Sequence, residues 1–194
     1  MTERIRTMKR MNLVIASALF SGLTAVGAHI RIDLPSGIPY TLQTGAVVMA
    51  GLLLGRRYGA LSQLIYVVTG LLGIPVFAYG GGPLYILRPS FGYVAGFIPG
   101  AYITGLVAGG NPRVSYHRAL AAAILGLIII YAFGLIYLMI QSFYLGEGRG
   151  LWEALALSTG IYVIPDLIAL LVLTRVALEI KKRGPGFTAA GAIS

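Results

Sequence analysis

Long apolar runs alternate with short polar breaks along the whole chain. We place six such runs at about residues 11–30, 41–55, 58–77, 91–110, 117–141 and 152–178. A helix needs roughly 20 apolar residues to span a bilayer, whereas a membrane β-strand needs only about 10. Because the runs are longer than such strands, the pattern predicts an all-α membrane protein, with six transmembrane helices in one domain that covers residues 1–194.

The basic residues lie in the polar breaks and predict how the chain is oriented. Twelve of the fifteen Lys and Arg side chains fall in residues 1–11, 56–57, 111–118 and 175–183, and the other three fall in the opposite set of loops. Lys and Arg are enriched on the cytoplasmic side of membrane proteins. The split therefore predicts that both termini are cytoplasmic and that the number of spans is even.

Composition supports a lipid-embedded chain and argues against several functions. Hydrophobic residues make up 57% of the chain and charged residues 11%, whereas about a quarter of the residues in a soluble domain are charged. The net charge of +9 does not indicate nucleic-acid binding, since the basic residues form no patch interleaved with aromatics. The sequence contains no cysteine, no H-E-x-x-H, no G-x-S-x-G and no phosphate-binding P-loop. We therefore expect no enzymatic activity, no metal and no cofactor.

One glycine-rich stretch, GGGPLYILRPSFGY at residues 80–93, joins the third and fourth predicted helices on the outer side. Its glycines permit tight turns, and its prolines limit helix formation. Irregular backbone at membrane depth needs protein or a water-filled cavity around it, so we predict a loop that caps a cavity. Arg88 could clamp a carboxylate there or extend to lipid phosphates. Tyr85 and Tyr93, which flank Arg88, are the best aromatic candidates for the pocket.

Two polar residues within the apolar runs are further candidates for ligand contacts. Asp166 is the acid deep inside an apolar run, where a charge costs from about 2.5 kcal/mol upward. It should face the bundle interior, either as a ligand contact or as a structural aspartate bonded to a tyrosine. Gln43 opens the second predicted helix, where it either caps backbone groups or recognises an amide-like ligand. Other aromatics near the outer helix ends, such as Tyr40, Tyr79 and Trp152, fit an interfacial belt.

Small residues recur at helical spacing, which allows helix backbones to approach closely in lipid. Three such stripes are Gly92, Gly96 and Gly100; Gly51, Gly55 and Gly59; and Ala18, Gly22 and Ala25. Each stripe either packs within the monomer or docks a partner membrane protein.

The order of these motifs resembles the BioY family, the biotin-binding S-components of energy-coupling factor (ECF) transporters. The likeness runs through about residues 12–110, in TLQT, LLLG…YGALS, GIPVFA and FGY-x-x-GF, and returns in IPDLIALLVLTRVAL of the last helix. It implies a six-helix S-component bundle in a prokaryotic plasma membrane, with an outward-facing vitamin site closed by loops one and three. It also implies docking of the first helix, at the Ala18 stripe, onto a transmembrane T subunit driven by two ATPase subunits.

On this scaffold we expect Asp166 and Gln43 to bond the ureido group of biotin, aromatic side chains to cover its ring, and Arg88 to hold its carboxylate. The full set of expected contacts is Arg88, Asp166, Gln43, Tyr85, Tyr93, Ser90 and Phe91. Ala169 replaces a lysine of the family pattern, and Arg88-Pro89-Ser90 replaces Gly-Pro-Thr. These departures leave open a second interpretation, in which the scaffold binds lipoate or another small carboxylate. An intramembrane enzyme would need a reactive pair of groups, and none is visible in the sequence.

Overall fold

The computed structural model describes residues 2–33, 38–109, 114–144 and 162–183, and the regular secondary structure in this part of the chain is helical apart from one short strand pair. Its elements are α1 (Thr2–His29), β1 (Arg31–Ile32), β2 (Tyr40–Thr41), α2 (Gln43–Leu71), a 3-10 helix (Pro83–Leu87), α3 (Phe91–Ala108), α4 (Tyr116–Tyr144) and α5 (Val163–Arg183). β1 and β2 pair antiparallel. Within the described residues, α1 from Arg10 onward, α3 and α4 are long and apolar enough to cross a membrane.

The second helix, α2, is a hairpin of two helical arms that meet at Gly55. This residue has φ +73° and ψ −179°, a backbone conformation that glycine adopts without steric cost. Beyond it the chain doubles back, so that a Cβ added to Gly59 would lie 2.9 Å from the Cα of Gly51. In a straight helix these two residues would be about 12 Å apart. The arms, residues 43–54 and 56–71, correspond to the second and third predicted helices.

Two of the predicted helix boundaries are wrong. The second arm of α2 ends at Leu71 instead of residue 77, because Gly73 turns the chain at φ +104° and Pro75 cannot continue a helix. The last predicted helix, 152–178, is not continuous, since Tyr162 lies in a turn and α5 begins at Val163. Its first ten residues, including Trp152, lie outside the described residues.

The third helix, α3, packs against α2 and α4 through glycines. A Cβ added to Gly96 would lie 2.9 Å from the Cβ of Phe133 on α4, and one added to Gly105 would lie 2.3 Å from the backbone nitrogen of Arg56 in α2. Such close approach of helices is possible only where a side chain is absent. The glycine stripes of α2 and α3 therefore pack within the monomer.

The first helix, α1, is joined to the second arm of α2 by buried polar contacts. The Ser17 hydroxyl donates to the carbonyl of Tyr58 at 3.0 Å, and the Gln63 amide donates to the Thr24 hydroxyl at 3.3 Å. All three polar side chains are fully buried. Hydrogen bonds of this kind hold helices together in lipid, where apolar surface alone provides little preference for a neighbouring helix.

Candidate functional site

A small cavity lies where the loop segments 38–41 and 78–90 meet the adjoining ends of α2, α3 and α5 and the side of α4. We refer to this end of the molecule as the cavity end. The polar lining includes Tyr40, Gln43, Tyr85, Ser90, Tyr131 and Asp166. The cavity volume is about 50 Å³, which is room for a few water molecules. Because small-molecule sites usually measure about 300–1,000 Å³, the side chains of the lining must separate before an organic ligand fits.

Asp166 lies in the first turn of α5 and points into the cavity. It is 6% exposed, and its Oδ2 accepts a hydrogen bond of 2.9 Å from the hydroxyl of Tyr131 on α4. The hydroxyl of Tyr40 faces the same carboxylate. Burial and the neighbouring carboxylate both raise the pKa of Tyr40, so its hydroxyl stays protonated and able to donate. A negative charge at a helix N-terminus is also favoured by the helix dipole.

Gln43, the first residue of α2, is held by hydrogen bonds at both ends of its amide. Its nitrogen donates to the hydroxyl of Tyr66 at 2.5 Å, and its oxygen accepts from Thr41 at 3.0 Å. Tyr66 in turn donates to the carbonyl of Val76 at 3.2 Å. The amide is 4% exposed and lines the cavity. Its remaining donor and acceptor sites have a fixed orientation, which suits recognition of a polar ligand group.

Tyr85, Ser90 and Tyr93 form an adjoining part of the wall. The hydroxyls of Tyr85 and Ser90 lie 3.2 Å apart, within hydrogen-bonding distance. The ring of Tyr93 stands edge-on to that of Tyr131, with centroids 5.8 Å apart. Gly134 makes space for Tyr93, since an added Cβ would lie 2.4 Å from its ring. The three residues therefore present hydroxyls and ring faces that are locked by packing.

Arg88 does not line the cavity and instead lies at its outer rim. Its guanidinium carbon is 4.9 Å from the centre of the Tyr79 ring, and that of Arg31 is 4.6 Å from the same centre. The Tyr79 hydroxyl donates to Asp33 at 2.8 Å, and Arg31 forms an ion pair with Asp33 at 3.3 Å. This exposed cluster connects the segment after α1 with the loop before α3. Phe91, another expected contact, also lies outside the lining and packs against a tyrosine of α4.

The sequence analysis missed several residues of the lining. Tyr40 was expected in the interfacial belt, but its ring stacks on Tyr162 with centroids 6.3 Å apart, and both line the cavity. The hydroxyl of Tyr162 donates to the carbonyl of Ile38 at 2.6 Å. Tyr131 lies in the middle of an apolar run, as Asp166 does. A buried hydroxyl at membrane depth needs a hydrogen-bond partner. This requirement could have predicted from the sequence that Tyr131 pairs with Asp166.

An apolar groove of about 460 Å³ adjoins the cavity between α1, the start of α2 and α5. It shares Tyr40, Thr41 and Asp166 with the cavity. Ala169, where the family pattern has a lysine, lies on this groove. Among the described residues, no group of three His, Asp or Glu side chains could hold a metal ion.

The small-residue stripe of α1 differs from the other two stripes. Ala18 and Gly22 are exposed, and a Cβ added to Gly22 would meet no other atom within 4 Å. Ala25, one turn further along, is half-buried and packs against the core. Two of the three residues thus present a flat, open surface.

Comparison with known proteins agrees with this architecture. The model of the BioY family matches residues 1–186. The chain is 38% identical over 173 residues to the biotin transporter BioY of Thermotoga maritima, which covers 89% of this chain and 97% of that protein. It is 44% identical over 136 residues to the "Probable biotin transporter BioY" of Lysinibacillus sphaericus, which covers 70% of this chain and 68% of that protein.

A solved structure has the same fold. The crystal structure of the S-component for biotin from an ECF-type ABC transporter superimposes with a TM-score of 0.74, at 24% sequence identity, over 90% of this chain and 93% of the other. Together with the match of the family model across nearly the whole sequence, these similarities show that the chain belongs to the BioY family.

Proposed function

We propose that this chain is the substrate-capture subunit of an ECF-type vitamin transporter and that it binds biotin in the cavity. The observation that carries the proposal is the buried carboxylate of Asp166 in the lining, in a chain whose relatives are named biotin transporters. The protein is a multi-pass component of a prokaryotic plasma membrane. It acts as a transport subunit and not as an enzyme.

The polar groups of the lining match the bicyclic ring of biotin. A ureido group presents two N–H donors and one carbonyl acceptor. The carboxylate of Asp166 accepts from the N–H side, and the amide of Gln43 supplies further polar contacts. Tyr85, Ser90 and Tyr93 cover the ring. Lipoate has no N–H group that could donate to this carboxylate, and a site built to hydrogen-bond a ligand N–H discriminates strongly against a ligand that lacks it. The relatives also favour biotin over lipoate.

We assign the carboxylate tail of the ligand to Arg88 at the rim of the cavity. Arg88 is two residues from Ser90 and three from Tyr85, both of which line the cavity. An arginine can bind a carboxylate bidentately, and Ala169 offers no charge in its place. Phe91 has a supporting role behind Ser90, since it packs against α4.

We further propose that six helices cross the membrane and that both termini are cytoplasmic. The hairpin of α2 supports this count, because its two arms turn at the basic pair Arg56 and Arg57. Docking onto the T subunit uses Ala18, Gly22 and Ala25, and the open surface at Gly22 supports this assignment. The chain has no ATP-binding motif, so two ATPase subunits supply the energy for uptake.

Titration of the purified chain with biotin, lipoate and biotin methyl ester tests the proposed ligand. We expect calorimetry to show tight binding of biotin, weaker binding of the ester because its tail is neutral, and little heat with lipoate. A flat titration with biotin, alongside a saturable titration with lipoate, would reject biotin as the substrate. Equal binding of biotin and its methyl ester would reject the role of Arg88 while leaving the ring site in place.

A further inference from the structure

The 3-10 helix Pro83–Leu87 has two unlike faces. Tyr85 is 4% exposed and lines the cavity, whereas Leu84 is 77% exposed and Leu87 is 69% exposed. Leu72, which directly follows the second arm of α2, is 79% exposed. Large apolar side chains gain free energy when they leave water. Two highly exposed leucines on the 3-10 helix and a third at the end of α2 therefore need an apolar environment that the described part of the protein does not provide.

The depth of this 3-10 helix can be measured along two neighbouring helices. Arg57 and Arg118, at the opposite end of the bundle, mark one boundary of the hydrocarbon layer, because charged side chains are costly inside it. Gly70, whose carbonyl accepts from Gly82 at 2.7 Å, is 13 residues from Arg57, or about 20 Å along a helix. Tyr137 is 19 residues from Arg118, or about 28 Å. The hydrocarbon core is about 30 Å thick, so both reference points lie within it, whereas Gln141 of α4, which is 23 residues or about 34 Å from Arg118, lies at its edge.

The backbone of the 3-10 helix is satisfied in the way that lipid requires. The Tyr137 hydroxyl donates to the carbonyl of Ile86, and the Gln141 amide donates to the carbonyl of Leu87 at 2.5 Å. Both donors are side chains of α4, and Ile136, close to them on the same helix, is an apolar side chain that is 56% exposed. In water, solvent could serve these two carbonyls. In hydrocarbon, an unpaired carbonyl is not tolerated, so protein donors must be present.

From these three observations we propose that the 3-10 helix is embedded in the lipid layer at the cavity end. Its partner is the acyl chains of that leaflet, which contact Leu84 and Leu87, while Tyr85 on the opposite face forms the cavity wall. Lipid and cavity are thus separated here by one turn of 3-10 helix. Opening this wall to admit a ligand displaces acyl chains as well as water. The inference depends on the membrane location of the chain and not on the identity of its ligand.

Site-directed spin labelling tests this inference, because the natural chain contains no cysteine. The variants Leu84→Cys and Leu87→Cys, each carrying a nitroxide, are reconstituted into phosphatidylcholine nanodiscs. Power saturation then compares collisions with oxygen, which concentrates in lipid, and with a water-soluble nickel chelate. Ile136→Cys provides the lipid reference, and Arg57→Cys provides the aqueous reference at an exposed charged position.

We expect the ratio of oxygen to nickel accessibility at Leu84→Cys and Leu87→Cys to match that at Ile136→Cys and to exceed that at Arg57→Cys several-fold. Ratios that match the aqueous reference at both positions would overturn the proposal. The two positions are independent tests of the same face, so one suffices if the other variant fails to elute as a folded monomer. Low accessibility to both reagents would also overturn it, since this result would mean that protein covers the leucines.

Discussion

Replacing Asp166 with asparagine isolates the charge at the centre of the proposed site. Asparagine keeps the size of the side chain and an oxygen that can accept from Tyr131, so the packing of the cavity should persist. The substitution removes the negative charge and replaces one acceptor oxygen with an NH₂ donor. This donor would face the N–H groups of the ureido ring, which are donors too. A hydrogen bond to a charged group contributes about 1.5–3 kcal/mol. Since about 1.4 kcal/mol corresponds to a tenfold change, we expect the Kd for biotin to rise by about 10- to 140-fold.

Calorimetric titration of the purified protein measures this change, and Thr174→Val is its matched control. Thr174 lies on the same helix two turns beyond Asp166, is fully buried, and its hydroxyl oxygen has no hydrogen-bond partner within the described structure. Removing this hydroxyl should leave the Kd unchanged and should raise the melting temperature, because a buried unpaired polar group is destabilising. A Kd for Asp166→Asn within twofold of the parent value would show that the carboxylate is structural.

Three further predictions follow from the packing and the rim. Gly105→Ala should cost about 1–3 kcal/mol of stability and lower the melting temperature, because its Cβ would lie 2.3 Å from the backbone nitrogen of Arg56. Gly22→Ala should leave the melting temperature unchanged, because its Cβ would meet no atom within 4 Å. Equal melting temperatures of the two variants would contradict the packing at Gly105. Gly22→Leu should abolish co-purification with the T subunit while biotin binding persists. Ala121→Leu, on an exposed position of α4, should leave both co-purification and biotin binding intact. Assembly that survives Gly22→Leu would remove this surface from the interface. Arg88→Ala should weaken biotin binding more than tenfold, as expected for a lost charged hydrogen bond, and should leave the methyl ester unaffected; an unchanged Kd for biotin would remove Arg88 from the site.

The helices, their close packing and the inward orientation of Asp166 could all be predicted from the sequence. Lipid cannot hydrogen-bond a free backbone, so a long apolar run must be a helix. Glycine at helical spacing indicates close approach, and Gly96 and Gly105 pack in this way. An acid in an apolar run must find a partner, and Asp166 does so in Tyr131. The helices and the orientation of Asp166 follow from the cost of an unsatisfied group in hydrocarbon, and the close packing follows from the small size of glycine.

The rest of the cavity lining, and the exclusion of Arg88 from it, were decided by the tertiary structure alone. In lipid, the outer face of a helix is as apolar as its inner face, so an apolar run does not show which side faces the core. For this reason Tyr40 could not be separated from an interfacial belt, and Arg88 could not be distinguished as a rim residue that stacks on Tyr79. The sequence by itself determined which groups must be paired. Which partners they found, and which of them meet around the cavity, depended on helix rotations and loop paths that only packing sets.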